Sequence, residues 1–267
     1  MTCLRPVVLY RNKKNEQVVP CGRCVVCEDK KRKEWYVRVL SEVGYCDYSK
    51  FVTLTYDDLS LPDKNSLCHE HFQSFVKRLR KELFKNGLTL KYYMCGEYGE
   101  QKGRPHYHMI ALIYGELPDK EYDIRKVIEE KWTLGYASFG TVTPRSVMYC
   151  LNYMKKQYKL GETEDRTKPY QRMSQGLGLQ FLLDNEETLA SRGVVKIKNY
   201  SYGIPRYFRK KSEKVKEAFE ENKASEDYAS NALNLKKQFY KTEFEKDLRE
   251  VEQYELNKIT ARRLKRH

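Results

Sequence analysis

The chain has 267 residues, 40% of them hydrophobic, enough for one main domain of about 150–200 residues plus appendages. With 51 Lys and Arg against 37 Asp and Glu it carries a formal charge of +14, which predicts a polyanionic partner, either nucleic acid or an acidic membrane surface. No apolar run approaches the roughly 20 residues needed to cross a bilayer and no signal-peptide core opens the chain, so a membrane protein is excluded and a soluble, cytosolic one expected.

Twenty-two tyrosines and ten phenylalanines favour nucleic acid, because aromatic faces stack on unpaired bases. The first local signal is Cys21-Gly-Arg-Cys24-Val-Val-Cys27, with Cys3 upstream. Eight cysteines in a cytosolic chain argue against a disulfide framework, and their clustering argues for metal. Cys3, Cys21, Cys24 and Cys27 together supply a tetrahedral zinc set. An iron–sulfur cluster would want a further cysteine where Lys31 stands. Reduced structural thiols are the plainer alternative, and Cys46, Cys68, Cys95 and Cys150 read as packing residues.

Residues 28–43 predict a helix, with Trp35, Val39 and Val43 as its stripe and Gly44 as its stop. Its start, Lys30-Lys-Arg-Lys33, would aim positive charge at phosphates. Phe51–Tyr56 predicts a strand. Residues 69–85 predict an amphipathic helix with Phe72, Phe75, Val76, Leu79 and Leu83 inward, ended by Asn86-Gly87. Strands over 89–96 and 106–114 follow, joined by a turn-rich connector. A helix over 119–132, a strand over 136–142 and a helix over 144–158 complete the pattern. Thr143 suits the N-cap of the last helix and Pro144 its first turn. This order predicts an α+β fold: an antiparallel sheet with helices packed on one side.

Residues 160–205 read as irregular, with glycines at 176, 178, 193 and 203. Beyond 212 the chain reads as a charged, solvent-exposed helical tail, whose basic last residues would touch nucleic acid nonspecifically. The expected division is 1–45, a cysteine-rich element with a basic helix; 46–160, the core; 161–211, a basic and aromatic DNA-contacting extension; and 212–267, the tail. In the extension Tyr200, Tyr202, Arg206, Tyr207, Phe208, Arg209, Lys210 and Lys211 interleave rings and cations, as a single-strand binding surface would.

Two of the five histidines, His106 and His108, open the apolar 106–114 strand. Side chains two apart share a strand face, so the pair can chelate one divalent ion while Tyr107 points the other way. Two half-buried surface histidines are the plainer alternative. Glu97, at the end of the preceding strand, brings a carboxylate across the hairpin; Glu100, in the connector, competes with it. Two nitrogens and one oxygen with open positions suit Mn²⁺ or Mg²⁺ holding a phosphate oxygen. Tyr149, Tyr153 and Lys156 share one face of the 144–158 helix. Such a pair in a tyrosine-rich chain is ordinarily packing or surface. Beside a metal, a tyrosine can attack phosphate, and a lysine on its face can neutralise the developing charge. Attack would leave a covalent phosphotyrosine and a free 3′-hydroxyl.

The stretch Cys95–His108 resembles motif II of the HUH endonucleases, in which two histidines flank a bulky hydrophobic residue, here Tyr107. Phe51–Tyr56 is similar to their motif I, and Tyr149-x-x-x-Tyr153 to the two-tyrosine form of motif III. Pro20–Cys27, with Trp35 and Arg38, resembles the N-terminus of replication initiators from small single-stranded DNA phages, the gokushovirus group of microviruses. Residues 172–178 and 203–208 are similar to that group too, so the resemblance spans about residues 1–210.

The resemblance implies the ferredoxin-like, RRM-like HUH core and rolling-circle replication. The viral strand would be nicked at the origin, joined through a 5′-phosphotyrosine and released as a unit circle. It implies His106, His108 and Glu97 as metal ligands and Tyr149 and Tyr153 as alternating nucleophiles. It also implies single-stranded and origin DNA as partners, with a host helicase or polymerase, in the bacterial cytoplasm. One departure is Asn152, where relatives often carry lysine; Lys155 or Lys156 is the substitute cation. A noncatalytic zinc-containing DNA-binding protein, or an HUH transposase or relaxase with the same chemistry, are the alternatives.

Overall fold

The computed structural model describes residues 3–12, 15–99, 102–152 and 165–224. A hairpin of β1 (Val7–Asn12) and β2 (Asn15–Val19) leads through the cysteine run into helix α1 (Val25–Val43). Then come β3 (Tyr48–Tyr56), α2 (His69–Lys85), β4 (Thr89–Tyr98), β5 (Pro105–Tyr114), α3 (Ile124–Lys131), β6 (Gly135–Gly140) and α4 (Pro144–Asn152). With β7 (Tyr170–Met173) the strands form one antiparallel sheet in the order β6-β3-β5-β4-β7. β3 and β4 flank β5 and are joined through α2; β5 and β6 flank β3 and are joined through α3. These two interleaved split βαβ units make the expected ferredoxin-like core, and both crossover helices fall on one face.

That face holds the larger core. Val52, Leu54, Tyr107, Met109, Ala111 and Ile113 pack against Phe72, Phe75, Leu79 and Leu83 of α2 and Ile128 of α3. The expectation of helices on one side only is corrected here. The second face is covered by α1 and α4, whose Tyr36, Val39, Val147, Cys150 and Leu151 lie on Tyr93, Cys95, Ile110 and Leu112. Burial on both faces explains why Met109–Ile113 is continuously apolar rather than alternating.

Helix α2 matches the predicted 69–85 residue for residue. Helix α3 starts five residues later than predicted, because the Asp123 side chain caps it by accepting from the Arg125 amide. Helix α4 begins at Pro144, with Thr143 Oγ1 accepting from the Ser146 amide at 3.1 Å. The rest of the predicted 144–158 helix lies outside the described residues.

The region read as irregular is largely structured. Besides β7 it contains α5 (Leu179–Asp184), α6 (Glu186–Arg192), the hairpin β8 (Val194–Ile197) and β9 (Tyr200–Gly203), and α7 (Arg206–Lys211). With α8 (Glu213–Ala224) these surround a third core of Val37, Leu182, Leu189, Val195, Ile204, Phe208 and Val215. The start of the tail is therefore packed rather than solvent-exposed all round. A staple fixes this unit to α1: Arg38 lies 4.1 Å from the Trp35 ring and 3.8 Å from the Tyr207 ring, and its Nε donates to the Leu177 carbonyl.

Candidate active site

Strand register builds the site. Glu97 pairs with His106 and Cys95 with His108 across β4–β5, while Thr53 pairs with His108 across β3–β5. Directly opposed residues share a face, so Glu97, His106, His108 and Thr53 converge on the α1–α4 side of the sheet. Glu97 Oε1 lies 2.8 Å from His106 Nε2 and 2.9 Å from His108 Nε2. His108 Nδ1 is 2.9 Å from Thr53 Oγ1, and His106 Nδ1 is 3.2 Å from the Arg104 carbonyl. Glu97 and His108 are buried and His106 is half-buried.

The donor set fits a divalent cation. A carbonyl only accepts, so the Arg104 contact places the proton of a neutral His106 on Nδ1 and leaves Nε2 as a lone pair facing Oε1. Two acceptors at that distance require a proton or a cation between them. Glu97 Oε2 is buried without a hydrogen bond, a second open position. Burial works to raise the Glu97 pKa, but the hydrogen bonds from His106 and His108 outweigh it and hold the carboxyl below its ordinary value. The three ligand atoms lie within 4.8 Å of one another.

Tyr149 projects from α4 onto this centre. Its ring lies 5.1 Å from the His108 imidazole at 81°, and Phe51 stacks on the same imidazole at 5.5 Å. Tyr149 remains 43% exposed, so the ring adjoins the ligands without being walled off. Glu100, Tyr153, Lys155 and Lys156 lie outside the described residues. Asn152 accepts a 2.7 Å hydrogen bond from Arg32, which is itself paired with the buried Asp29 of α1. The end of the tyrosine-bearing helix is thereby tied to α1.

Sequence reasoning missed Thr53, Phe51 and Gly96. The alternation in Phe51–Tyr56 contains the signal for the first two, since Phe51 and Thr53 share one face while Val52 and Leu54 enter the opposite core. At Gly96 a Cβ would come within 3.2 Å of the Tyr107 ring, so glycine lets that ring lie flat across β4. Tyr107 itself points away from the ligands. Its hydroxyl donates to the Cys68 carbonyl at 2.6 Å and lies 2.9 Å from the Tyr56 hydroxyl, anchoring the entry to α2.

The cysteine run forms a second candidate metal centre. Sγ of Cys3 lies 3.5 Å from that of Cys21 and 3.9 Å from that of Cys24, and Cys21 lies 4.0 Å from Cys27. A tetrahedral zinc with Zn–S bonds of about 2.3 Å sets sulfur edges of about 3.8 Å. Burial opposes ionisation of Cys21, yet amide donation from Arg23 and Cys24 brings its pKa down to about 7. Burial and the neighbouring thiols push Cys27 up, so holding all four as thiolates requires a cation. The side chains around them form only a small cluster with Leu4 and Val26.

The expected single-strand surface over 200–211 is corrected in part. Phe208 is fully buried, Tyr202 packs on Tyr36, Tyr207 on Arg38, and Arg209 lies 4.0 Å from the Phe219 ring. The spacing of Ile204 and Phe208 carried that core signal. Arg206, Lys210 and Lys211 are exposed, and Tyr200 is partly so. The Lys30–Lys33 run divides likewise: Lys30 and Lys31 face solvent, Arg32 is buried and Lys33 pairs with Asp29. No helix among the described residues is long and apolar enough to cross a membrane.

Residues 49–158 match the family model named for replication-associated protein ORF2. The chain is 30% identical over 262 residues to replication-associated protein ORF2 of Spiroplasma virus 4, covering 80% of this chain and 81% of that one. It is 31% identical over 243 residues to replication-associated protein VP4 of Bdellovibrio phage phiMH2K, covering 78% and 76%. It is also 30% identical over 212 residues to replication-associated protein ORF4 of Chlamydia phage 1, covering 72% of this chain but only 52% of that relative. No solved structure matches.

Proposed function

The chain belongs to the replication-associated proteins of small single-stranded DNA phages, and from that premise we propose that it initiates rolling-circle replication by nicking and rejoining viral DNA at the origin. The observation that carries this reading is the contact of the Tyr149 ring with His108, one of three convergent metal-type ligands. Glu97, His106 and His108 would hold Mn²⁺ or Mg²⁺. Such an ion, when bound, supplies Lewis-acid charge to a phosphate oxygen.

The chain's own residues do the rest. Tyr149 attacks the scissile phosphorus, its hydroxyl proton passing to solvent. The bond from phosphorus to the 3′-oxygen breaks, and that oxygen takes up a proton as the 3′-hydroxyl. The 5′-phosphate stays on the tyrosine, and a later attack by a 3′-hydroxyl reverses the exchange and closes the circle. Tyr153 alternates with Tyr149 in successive rounds, and Lys156 supplies positive charge to the reacting phosphate. Thr53 orients His108, as outer partners of ligating histidines do. The Cys3, Cys21, Cys24 and Cys27 set holds a structural zinc that organises the start of α1. The partners are single-stranded and origin DNA, with a host helicase or polymerase, in the cytoplasm of the bacterial host.

The test is a labelled single-stranded origin oligonucleotide incubated with protein and Mn²⁺. A protein–DNA adduct that survives denaturant and disappears with EDTA is expected. Intact binding with no adduct on any single-stranded substrate would favour a noncatalytic DNA-binding protein.

A further inference from the structure

Strand β6 alternates sharply. Ala137 and Phe139 pack toward the α2–α3 core, while Tyr136, Ser138 and Gly140 are exposed on the opposite face, the one that carries the metal-type ligands. Register then fixes where Tyr136 stands. Glu97 pairs with His106, His106 with Thr55, and Thr55 with Tyr136, so one cross-strand row runs Glu97–His106–Thr55–Tyr136. Tyr136 lies two strands from His106, about 10 Å along that row.

The ground between them is low and polar. Thr55 and, in the next row, Thr53 and Ser138 are small. Helix α4 covers the other end of this face, over Tyr93, Ile110 and Leu112. Tyr136 is 71% exposed, on an edge strand, and its backbone is pinned: the Thr55 hydroxyl donates to its carbonyl at 3.4 Å. The preceding Gly135 has φ +150, and a Cβ there would lie 2.3 Å from the Thr55 carbonyl oxygen, so glycine is required for β6 to start where it does. A lone exposed aromatic is ordinary on protein surfaces. An exposed aromatic held rigidly in the same row as two candidate metal ligands, in a chain of net charge +14, is a stacking platform.

We propose that Tyr136 stacks an unpaired base next to the scissile phosphate, so that the DNA single strand crosses the sheet from the Glu97–His106–His108 centre toward β6. The inference rests on the origin-nicking reading and adds a binding subsite to it. The ring recognises the face of a base, so the subsite is tolerant of sequence and selective for unpaired DNA.

The experiment measures fluorescence anisotropy of the full chain with labelled oligo(dT) of about 25 nucleotides in EDTA, where cleavage plays no part. Tyr136→Ala should weaken binding by about 5- to 150-fold, and Tyr136→Phe and Tyr136→Trp should restore it. Phe84→Ala removes another exposed ring, on α2, and should bind as wild type. An oligo(dT) carrying one 5-iodouracil should photocrosslink to the tryptic peptide from Trp132 to Arg145, and the crosslink should be lost in Tyr136→Ala. Wild-type affinity in Tyr136→Ala, equal loss in Phe84→Ala, or no crosslink to that peptide would each overturn the subsite. A wild-type protein that binds single strands yet forms no adduct with Mn²⁺ would overturn the nicking reading instead, a result separate from the subsite's.

Discussion

Glu97 and His106 face each other directly across β4 and β5, with Oε1 2.8 Å from Nε2, and the other imidazole nitrogen is committed to a carbonyl. That arrangement is complete only with a proton or a cation between the two groups. It is the physical reason for reading the pair, with His108, as a metal centre rather than as surface histidines.

The Thr53 contact should be measurable as metal affinity. Thr53→Val keeps the shape and removes the hydroxyl 2.9 Å from His108 Nδ1. Loss of such an outer partner weakens metal binding by about 10- to 100-fold. Titration with Mn²⁺ followed by electron paramagnetic resonance reads this directly; an unchanged affinity would show that Thr53 does not orient the ligand.

Tyr107, although between the two histidines, should act on stability and not on chemistry. Tyr107→Phe removes the partner of the Tyr56 hydroxyl, the Cys68 carbonyl and the Cys68 amide. Unpaired buried groups cost about 1–3 kcal/mol. Urea denaturation should show that loss while adduct formation per folded molecule stays within a factor of about two, because the side chain lies on the far face. Full stability with lost cleavage would reverse this assignment of roles.

The cysteine site predicts one zinc per chain by native mass spectrometry. Cys24→Ser, which removes the most buried of the four thiols, should lose it. Because the small cluster there includes only Leu4, Cys24 and Val26 as buried members, stripping the metal should expose residues 3–27 to protease before the sheet unfolds. Metal-free protein with the same protease resistance would leave the cysteines as ordinary reduced thiols.

The sequence made the sheet-forming units legible because their signals are long. Seventeen residues of α2 carry a clean apolar stripe, and Phe51–Tyr56 alternates without a break. The site was legible for a related reason: alternation alone puts His106 and His108 on one face, and the hairpin brings Glu97 opposite. Coverage of the second face was harder to read. It depends on Val147, Cys150 and Leu151, which are three apolar positions on a short helix, and on the absence of alternation in Met109–Ile113. Between Tyr170 and Lys211 each helix or strand has only four to seven residues, too few for a period to emerge from composition. Phe208 and Tyr136 show the consequence. Both are aromatic residues near polar neighbours, yet one fills a core and the other stands in solvent, and only strand register and packing separate them.

The most direct measurement is the identity of the residue that carries the DNA. Protein trapped on a single-stranded origin oligonucleotide with Mn²⁺ is digested and the adduct peptide sequenced by mass spectrometry, for wild type, Tyr149→Phe, Tyr153→Phe and the double variant. The account predicts phosphotyrosine at Tyr149 or Tyr153 in wild type, impaired turnover in each single variant and no adduct in the double variant. An adduct on any other residue, or one that persists in the double variant, would contradict it.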